Sequence, residues 1–406
     1  MYKIALLACF LFAAIHYSFG QTLSVKGTVT DSATGKPVAN ASVFFSNTSY
    51  GAITDNAGTF NITGMQPGKY TLVVSFVGYQ TYSESITLTT AAENINILLK
   101  QKPALLQEVV VRKYLKDGWE QWGQFFLENF IGSSSLSRDC QVINIKALKF
   151  SYSKKEEELT VDATEPLEIE NKALGYRIQY QLENFTFKFS QKYLFYAGYV
   201  LFTEMEGSKR KQQQWKTARA AAYEVSQMRF MRSLFRNRLV EDGYQLYQLE
   251  RIPNTERQRL RRHEKNYYDT VRKTGMIVNY ENTLPPDSTV YFKKITAQKD
   301  PVEIIHPGML KGTDIAYGAD SATAALDFKN YLIVRYPKRT IPPEYASEIQ
   351  GGSVKQPVSS VVFLSLGQPL FVTANGYYYP IDNLMTEGFW GWWEKLSTLL
   401  PYDYMP

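Results

Sequence analysis

Three short phrases near the start of the chain decide its fold: Gly27-Thr28-Val29-Thr30-Asp31, Thr54-Asp55-Asn56-Ala57-Gly58-Thr59-Phe60 and Gly68-Lys69-Tyr70-Thr71-Leu72. In and around them apolar residues alternate with polar ones, and Gly, Pro, Asn and Asp fill the turns between the segments. The alternating apolar residues are Val25, Val29, Val43, Phe45, Phe60, Ile62, Tyr70, Leu72 and Val74. Short alternating segments about 8–12 residues apart, separated by such turns, are typical of an all-β sandwich. We therefore predict a β-sandwich over residues 21–101.

These residues resemble the carboxypeptidase regulatory-like domain, a transthyretin-like or Ig-like sandwich found in cell-envelope proteins of Bacteroidetes-type bacteria. The resemblance rests on the spacings Gly-x-Val-x-Asp, Thr-Asp-x-x-Gly-x-Phe and Gly-x-Tyr. In such families the domain is not catalytic, and it accompanies carboxypeptidases, TonB-dependent receptors and other envelope proteins. The region from about Pro103 onward is similar to a second region of unassigned role that follows this domain. The resemblance therefore implies an envelope location and a two-part architecture.

The first twenty residues have the features of a signal peptide. Lys3 supplies a positive start, an apolar stretch runs from Ile4 to Ile15, and small residues surround Phe19. We predict cleavage between Gly20 and Gln21. We expect an exported protein in the periplasm or associated with the outer membrane. No later stretch has the roughly 20 consecutive apolar residues that a transmembrane helix needs, so we expect no transmembrane span.

The remainder is expected to be a linker strand over residues 102–112, followed by an α+β domain over 113–406. Aromatic residues three and four positions apart predict a helix over 113–131. Alternation of apolar and polar residues between Gln141 and Glu206, with an aromatic strand from Tyr193 to Phe202, predicts an antiparallel sheet. A long amphipathic helix is predicted over 213–239, a second basic helix or exposed arm over 256–269, and a short aromatic helix near the C-terminus. The predicted later strands are 244–249, 290–295, 331–336 and 358–366. The fold class is thus mainly β, with an N-terminal sandwich and then an antiparallel sheet domain braced by helices.

Positive charge is concentrated in one part of the chain. The formal net charge is +6, but residues 207–273 contain 17 Lys and Arg against 7 Asp and Glu. Such a segment can bind anionic polymers or form a solvated helix face. Because an exported chain rarely meets nucleic acid, we expect no nucleic acid partner. The expected partner is an envelope protein or an anionic glycan or lipid headgroup. The candidate anionic-contact face consists of Arg229, Arg232, Arg236, Arg257, Arg259, Arg261 and Arg262.

Enzymatic motifs are missing from the sequence. A zinc carboxypeptidase site needs about three protein ligands, but neither His263 nor His306 has a glutamate three positions later. No Gly-x-Ser-x-Gly elbow occurs, and after cleavage Cys140 would be the sole cysteine. We therefore expect no catalytic residues, no metal and no cofactor. The predicted function is a non-catalytic binding or scaffold component of the bacterial cell envelope.

The alternative is an envelope hydrolase that acts on glycan or peptide through dispersed carboxylates, because such residues meet only in space. Glu165, Glu168 and Glu170 form the densest cluster in the sequence. Alternation along a strand would place Glu168 and Glu170 on one face, and such a face is more often a solvated edge than an active site.

Overall fold

The computed structural model describes residues 23–89, 92–102, 113–274 and 279–406. The predicted signal peptide, its cleavage position and the linker strand from residue 103 to 112 lie outside the described residues. The described chain forms two compact units. Unit 1 extends to Glu224 and also contains Lys395–Pro406, and unit 2 is Val225–Glu394. The predicted domain boundaries at 101 and 113 stay a prediction.

Unit 1 begins with a β-sandwich. Its strands are β1 (Leu23–Asp31), β2 (Ser42–Phe45), β3 (Gly51–Ile53), β4 (Thr59–Met65), β5 (Gly68–Ser75), β6 (Tyr82–Leu88) and β7 (Ala92–Leu99). One sheet has the order β4-β1-β7 and the other β3-β2-β5-β6. Strands β1 and β7 are parallel, whereas the other pairs are antiparallel. The alternating apolar residues Val25, Val29, Val43 and Leu72 are fully buried between the sheets, as the sequence predicted.

Two residues of β1, Gly27 and Asp31, explain why the Gly-x-Val-x-Asp spacing suits this sandwich. A Cβ atom on Gly27 would lie 1.9 Å from the carbonyl oxygen of Ile95 and 2.8 Å from the ring of Phe60, so only glycine fits between these neighbours. Asp31 accepts hydrogen bonds of 2.7 Å from the hydroxyl of Tyr79 and from Nε2 of Gln101. These bonds hold the pKa of Asp31 well below its usual range. The carboxylate therefore fastens the end of β1 to the loop before β6 and to the end of the sandwich.

Unit 1 also contains an antiparallel sheet outside the sandwich, which we call the second sheet. Its elements are α1 (Gly118–Phe130), β8 (Cys140–Val142), β9 (Leu148–Ser153), β10 (Glu158–Ala163), β11 (Leu167–Asn171), β12 (Tyr176–Lys188), β13 (Tyr193–Glu204) and α2 (Lys209–Glu224), with 3₁₀ turns at Ser135–Asp139, Ile145–Ala147 and Phe189–Gln191. The strand order is β8-β11-β12-β10-β9, and β13 pairs with β12. Helix α1 covers one face, where Phe126 and Phe130 are fully buried against Phe150 and Tyr180.

Unit 2 combines two antiparallel sheets with helices. Its elements are α3 (Gln227–Phe235), β14 (Gln245–Ile252), α4 (Thr255–Thr274), α5 (Pro286–Thr296), β15 (Val302–Leu310), α6 (Gly312–Ile315), β16 (Ala316–Gly318), β17 (Thr323–Leu326), β18 (Tyr331–Thr340), α7 (Pro343–Glu348), β19 (Pro357–Leu364), β20 (Leu370–Thr373), β21 (Tyr378–Tyr379), β22 (Leu384–Gly388) and α8 (Phe389–Trp393). The strand orders are β15-β14-β18-β19-β22 and β16-β17-β20-β21. Phe230, Leu246, Leu326 and Trp390 belong to one core that joins α3, α8 and both sheets. The expected fold class is confirmed.

The single helix predicted over 213–239 is wrong, because α2 ends at Glu224 and α3 begins at Gln227. Ser226 has extended backbone angles, and its hydroxyl accepts a hydrogen bond from the backbone N–H of Arg229. This is the N-cap arrangement that starts a new helix. The apolar stripe is continuous in sequence, so its period alone could not show the break.

The strand predicted over 290–295 is also wrong, because these residues lie in α5. Pro286 stands at the first helical position and Asp287 in the first turn, and both are favourable helix-start residues. Phe292 is buried with its ring centroid 5.4 Å from that of Tyr280. Capping and packing therefore outweigh the β preference of Val290 and Tyr291.

Candidate functional site

A cleft of about 740 Å³ lies within unit 1, between the sandwich strands β2 and β3 and the second sheet. This volume is within the usual range of ligand-binding pockets. The sandwich contributes Asn40, Ser42 and the backbone of Gly51 to one wall. Polar side chains of β11, β12 and β13 form the floor, which we call the cleft floor: Glu168, Glu170, Arg177, Gln179 and Thr203.

Strand alternation explains why this floor is polar. Ile169 and Ile178 are 2% and 1% exposed and lie on the sheet face that also holds the aromatic core. Their neighbours in sequence point to the other face, which therefore carries Glu168 and Gln179 as cross-strand partners. The sequence prediction that Glu168 and Glu170 share a face agrees with this arrangement. Strand β11 lies between β8 and β12 rather than at the edge of the sheet.

The carboxylates of the cleft floor differ in their ionic partners. Glu170 lies 3.4 Å from Nζ of Lys172 and 3.6 Å from Nε of Arg177. Glu204 also borders the cleft, but its side chain lies on the opposite sheet face with its cross-strand partner Tyr176, 2.6 Å from Nη1 of Arg219. Glu168 is exposed, and within the described part of the chain its carboxylate has no ion-pair partner. The floor therefore offers one carboxylate, that of Glu168, that can accept a ligand cation without losing an ion pair to a described residue.

Two residues considered for catalysis in the sequence, Cys140 and Glu165, do not line this cleft. Burial raises the pKa of the Cys140 thiol to about 12, so the thiolate is scarce at neutral pH. Glu165 lines a neighbouring depression rather than the cleft, and it accepts a 3.3 Å hydrogen bond from Asn144. Within residues 23–89, 92–102, 113–274 and 279–406, no three His, Cys, Asp or Glu side chains are grouped to hold a metal ion.

The predicted arginine face is divided between two helices of unit 2. On α3, Arg232 is only 5% exposed and donates a 2.9 Å hydrogen bond to the carbonyl of Asn375. Arg229 lies over the ring of Tyr336 at 4.7 Å, and Arg236 is 3.6 Å from Asp242. These arginines therefore serve contacts inside unit 2, and Arg232 cannot reach an external ligand.

The other four arginines lie on α4. Arg257 donates to the carbonyl of Thr296 at 3.1 Å and lies 3.8 Å from Asp300. Arg259 binds Glu256 through two hydrogen bonds of 2.7 and 2.8 Å, which lowers the pKa of Glu256 to about 2. Arg261 lies 2.6 Å from Glu264. Arg262 is exposed and has no ion pair with any residue that the structure describes. Of the predicted seven, Arg262 is the most available to a ligand.

Helix α4 also carries cations that the sequence prediction did not include. Lys265, Arg272 and Lys273 are exposed, and at 100° per residue they lie with Arg262 within an arc of about 100°. We call these four residues the cation stripe. Asp269 lies within the same arc, so the stripe keeps a net charge of +3. The cation stripe could have been found from the helical spacing of the sequence. That Arg257, Arg259 and Arg261 are already paired with acidic residues could be seen only in the structure.

The family comparison concerns the sandwich. Residues 25–111 match the model of the CarboxypepD_reg-like domain. This chain carries a CarboxypepD_reg-like domain. The resemblance inferred from the Gly-x-Val-x-Asp and Thr-Asp-x-x-Gly-x-Phe spacings is confirmed. The wall of the cleft formed by Asn40, Ser42 and Gly51 belongs to the CarboxypepD_reg-like domain.

One curated relative and several solved structures are similar to parts of the chain. The TonB-dependent receptor SusC of Bacteroides thetaiotaomicron is 40% identical over 117 residues, which are 28% of this chain and 11% of the receptor. The chain thus spans about a tenth of that relative. A cohesin–X-dockerin complex from Acetivibrio cellulolyticus is 25% identical over 19% of this chain and 56% of its own, with a TM-score of 0.17. A putative membrane-associated protein of unknown function from Bacteroides fragilis is 12% identical over 86% of this chain and 93% of its own, with a TM-score of 0.17.

No helix in the described ranges is both long enough and apolar enough to cross a membrane.

Proposed function

We propose that this protein is a non-catalytic binding component of the bacterial cell envelope, exported to the periplasm or the outer membrane, and that it contacts phosphate-bearing anionic polymers or headgroups through α4. The CarboxypepD_reg-like domain and its relation to a Bacteroides TonB-dependent receptor support the envelope location. The proposal depends above all on the cation stripe, whose four side chains are exposed on one side of one helix.

The exposure of these cations is what makes them suited to binding. An ion pair already made inside the protein must be broken before its arginine can bind a new anion, and Arg259 and Arg261 are held in this way. The stripe residues form no ion pair with any residue that the structure describes, so binding an anion does not require breaking one of these. Near an anionic membrane surface each Lys or Arg contributes about 1 kcal/mol. Four such cations can therefore bind such a surface in a salt-dependent manner without a deep pocket.

The decisive experiment compares two variants of equal charge. Arg262, Lys265, Arg272 and Lys273 are all replaced by Gln in one variant. The matched control replaces Lys209, Arg210, Lys211 and Lys216 on α2, four cations that are also exposed. Each protein is sedimented with vesicles of neutral phospholipid, vesicles with anionic phospholipid, and lipopolysaccharide aggregates.

We expect the wild type and the α2 variant to bind anionic particles and the stripe variant to lose at least tenfold in affinity. Binding should weaken as salt is raised, because the charges are exposed and screened. The two anionic arms distinguish phospholipid headgroups from lipopolysaccharide phosphates. Equal losses in both variants would point to net charge alone and reject the stripe. Turnover of peptidoglycan fragments that Glu168→Gln abolishes would reject the non-catalytic assignment.

A further inference from the structure

We propose that the cleft in unit 1 binds a short extended polypeptide segment in which aliphatic side chains alternate with Lys or Arg. The cleft lies in a different unit from the cation stripe. The inference therefore goes beyond the proposed function and can stand or fail separately from the anionic contact.

The first observation is a pair of exposed aliphatic side chains that line the cleft. Ile53, at the end of β3, is 70% exposed, and Ile143, just after β8, is 50% exposed. Both strands end their sheets. An aliphatic side chain of a ligand that packs on these isoleucines removes apolar surface of both partners from water, which is favourable.

The second observation is the charge of the cleft floor. Glu170 lies against Lys172 and Arg177, whereas the cross-strand partner of Glu168 is the neutral Gln179. A ligand cation that reaches Glu168 gains a partner without displacing one. The cleft therefore favours Lys or Arg over Asp or Glu in its ligand.

The third observation is the size and lining of the cleft, which favour a peptide over a sugar chain. Its lining extends from Ile143, just after β8, across β11 and β12 to β13. These four neighbouring strands span about 14 Å at the usual strand spacing, which accommodates about four or five extended residues. Ile53 belongs to the sandwich side of the cleft and the floor to the other sheet. Alternate side chains of an extended segment point to opposite sides, so one set can meet Ile53 and the other the floor. Phe202 lines the cleft but is 1% exposed, so it offers no free ring face on which a sugar could stack.

The test uses fluorescent hexapeptide pools and the purified full chain. In the basic pool Val, Ile or Leu alternates with Lys or Arg, and in the acidic pool Asp or Glu replaces the basic residues. A neutral glycan oligomer serves as the third probe. Anisotropy titrations are made with the wild type, Glu168→Lys, Ile53→Asp and Glu120→Lys. Glu120 is the matched control, because it is exposed on α1, which covers the opposite face of the sheet.

We expect saturable binding of the basic pool to the wild type and to Glu120→Lys. Glu168→Lys should lower that affinity about fivefold or more and should raise affinity for the acidic pool, while Ile53→Asp weakens binding of the basic pool. The gain of acidic binding shows that the variant is folded. No saturable binding of the basic pool, binding unchanged by Glu168→Lys, or saturable binding of the glycan alone would overturn the proposal. None of these outcomes bears on the vesicle-binding test of the cation stripe, because the two tests change different residues and use different ligands.

Discussion

The backbone N–H of Ser49 donates a 2.8 Å hydrogen bond to Oδ1 of Asp403, so residues 354 positions apart in the chain are joined. The hydroxyl of Ser49 also donates to Oδ2 of Asp403, and the N–H of Tyr402 donates to the carbonyl of Asn47 at 2.7 Å. Earlier in the same tail, Ser397 accepts a 2.9 Å hydrogen bond from Nδ2 of Asn171. The last twelve residues therefore connect the second sheet with the loop between β2 and β3. Since Ser49 lines the cleft, the tail also supports one of its walls.

Replacing Asp403 by Ala should loosen this connection. It removes the acceptor of both Ser49 bonds, and we expect a loss of about 1 kcal/mol in the free energy of unfolding, measured from urea midpoints. Limited proteolysis should also cleave the tail earlier than in the wild type. Asp139→Ala is the control, because Asp139 is exposed and its side chain makes no bond to a described residue. Equal effects of both substitutions would show that Asp403 has no special role.

Asp31 should make the sandwich sensitive to acid. Its folded pKa lies below the unfolded value of about 3.9, because Tyr79 and Gln101 donate hydrogen bonds to its charged form. Its stabilisation is therefore complete above the unfolded pKa and is lost as the pH falls toward the folded pKa. Urea midpoints measured from pH 7 to pH 3 should fall more steeply for the wild type than for Asp31→Asn.

The comparison variant is Asp55→Asn, since the pKa of Asp55 is also lowered, first through the hydroxyl of Thr59. Asp55 is exposed and acts only within its own turn. We expect its substitution to lower stability at neutral pH less than Asp31→Asn does. A steeper acid dependence in Asp31→Asn than in the wild type would contradict the assigned direction of the shift.

Gly27→Ala should disrupt the sandwich. The new methyl group would lie 1.9 Å from the carbonyl oxygen of Ile95, so the strands β1 and β7 must separate. Overpacking of a close core contact typically costs about 1–3 kcal/mol and can cost more. Gly308→Ala is the control, since a Cβ there meets no atom within 4 Å. Differential scanning calorimetry should show a lower transition temperature for Gly27→Ala alone.

Cys140 should be inert to thiol reagents in the folded protein. The side chain is buried, and burial raises the pKa of its thiol to about 12. In a chain carrying Cys9→Ser, where Cys140 is the sole thiol, an aromatic disulfide reagent at pH 8 should react only after urea is added. Ser135→Cys places a thiol at an exposed position and should react at once. Rapid reaction of native Cys140 would contradict its buried environment.

Local patterns predicted those elements whose core depends on a regular period. The sandwich, α1 and the strands β9 to β12 follow alternation or helical spacing, and each buries the residues that the pattern marked, such as Leu72, Phe126 and Phe150. Prediction failed at Ser226 and at Val290. At the first, a cap divides one apolar stripe into two helices, and at the second, a β-branched run becomes helical through Pro286 and the packing of Phe292.

The candidate sites were predictable to different extents. Basic character was visible as an excess of Lys and Arg over 207–273, but composition cannot show that Arg232 is buried or that Arg259 is already paired. The shared face of Glu168 and Glu170 followed from alternation. The cleft itself did not, because its lining comes from separated stretches of the chain around Ser42, Ile143, Gln179 and Thr203.

By itself, the amino-acid sequence determined that the chain begins with a β-sandwich of the CarboxypepD_reg-like kind, whose described strands lie between Leu23 and Leu99, and that helices and antiparallel strands follow. These features arise from contacts between near neighbours, whose spacing is written along the chain. Only the tertiary structure decided which charges remain exposed and where a ligand can enter. Those properties depend on which distant segments meet, as Ser49 meets Asp403, and on which cations already have a partner.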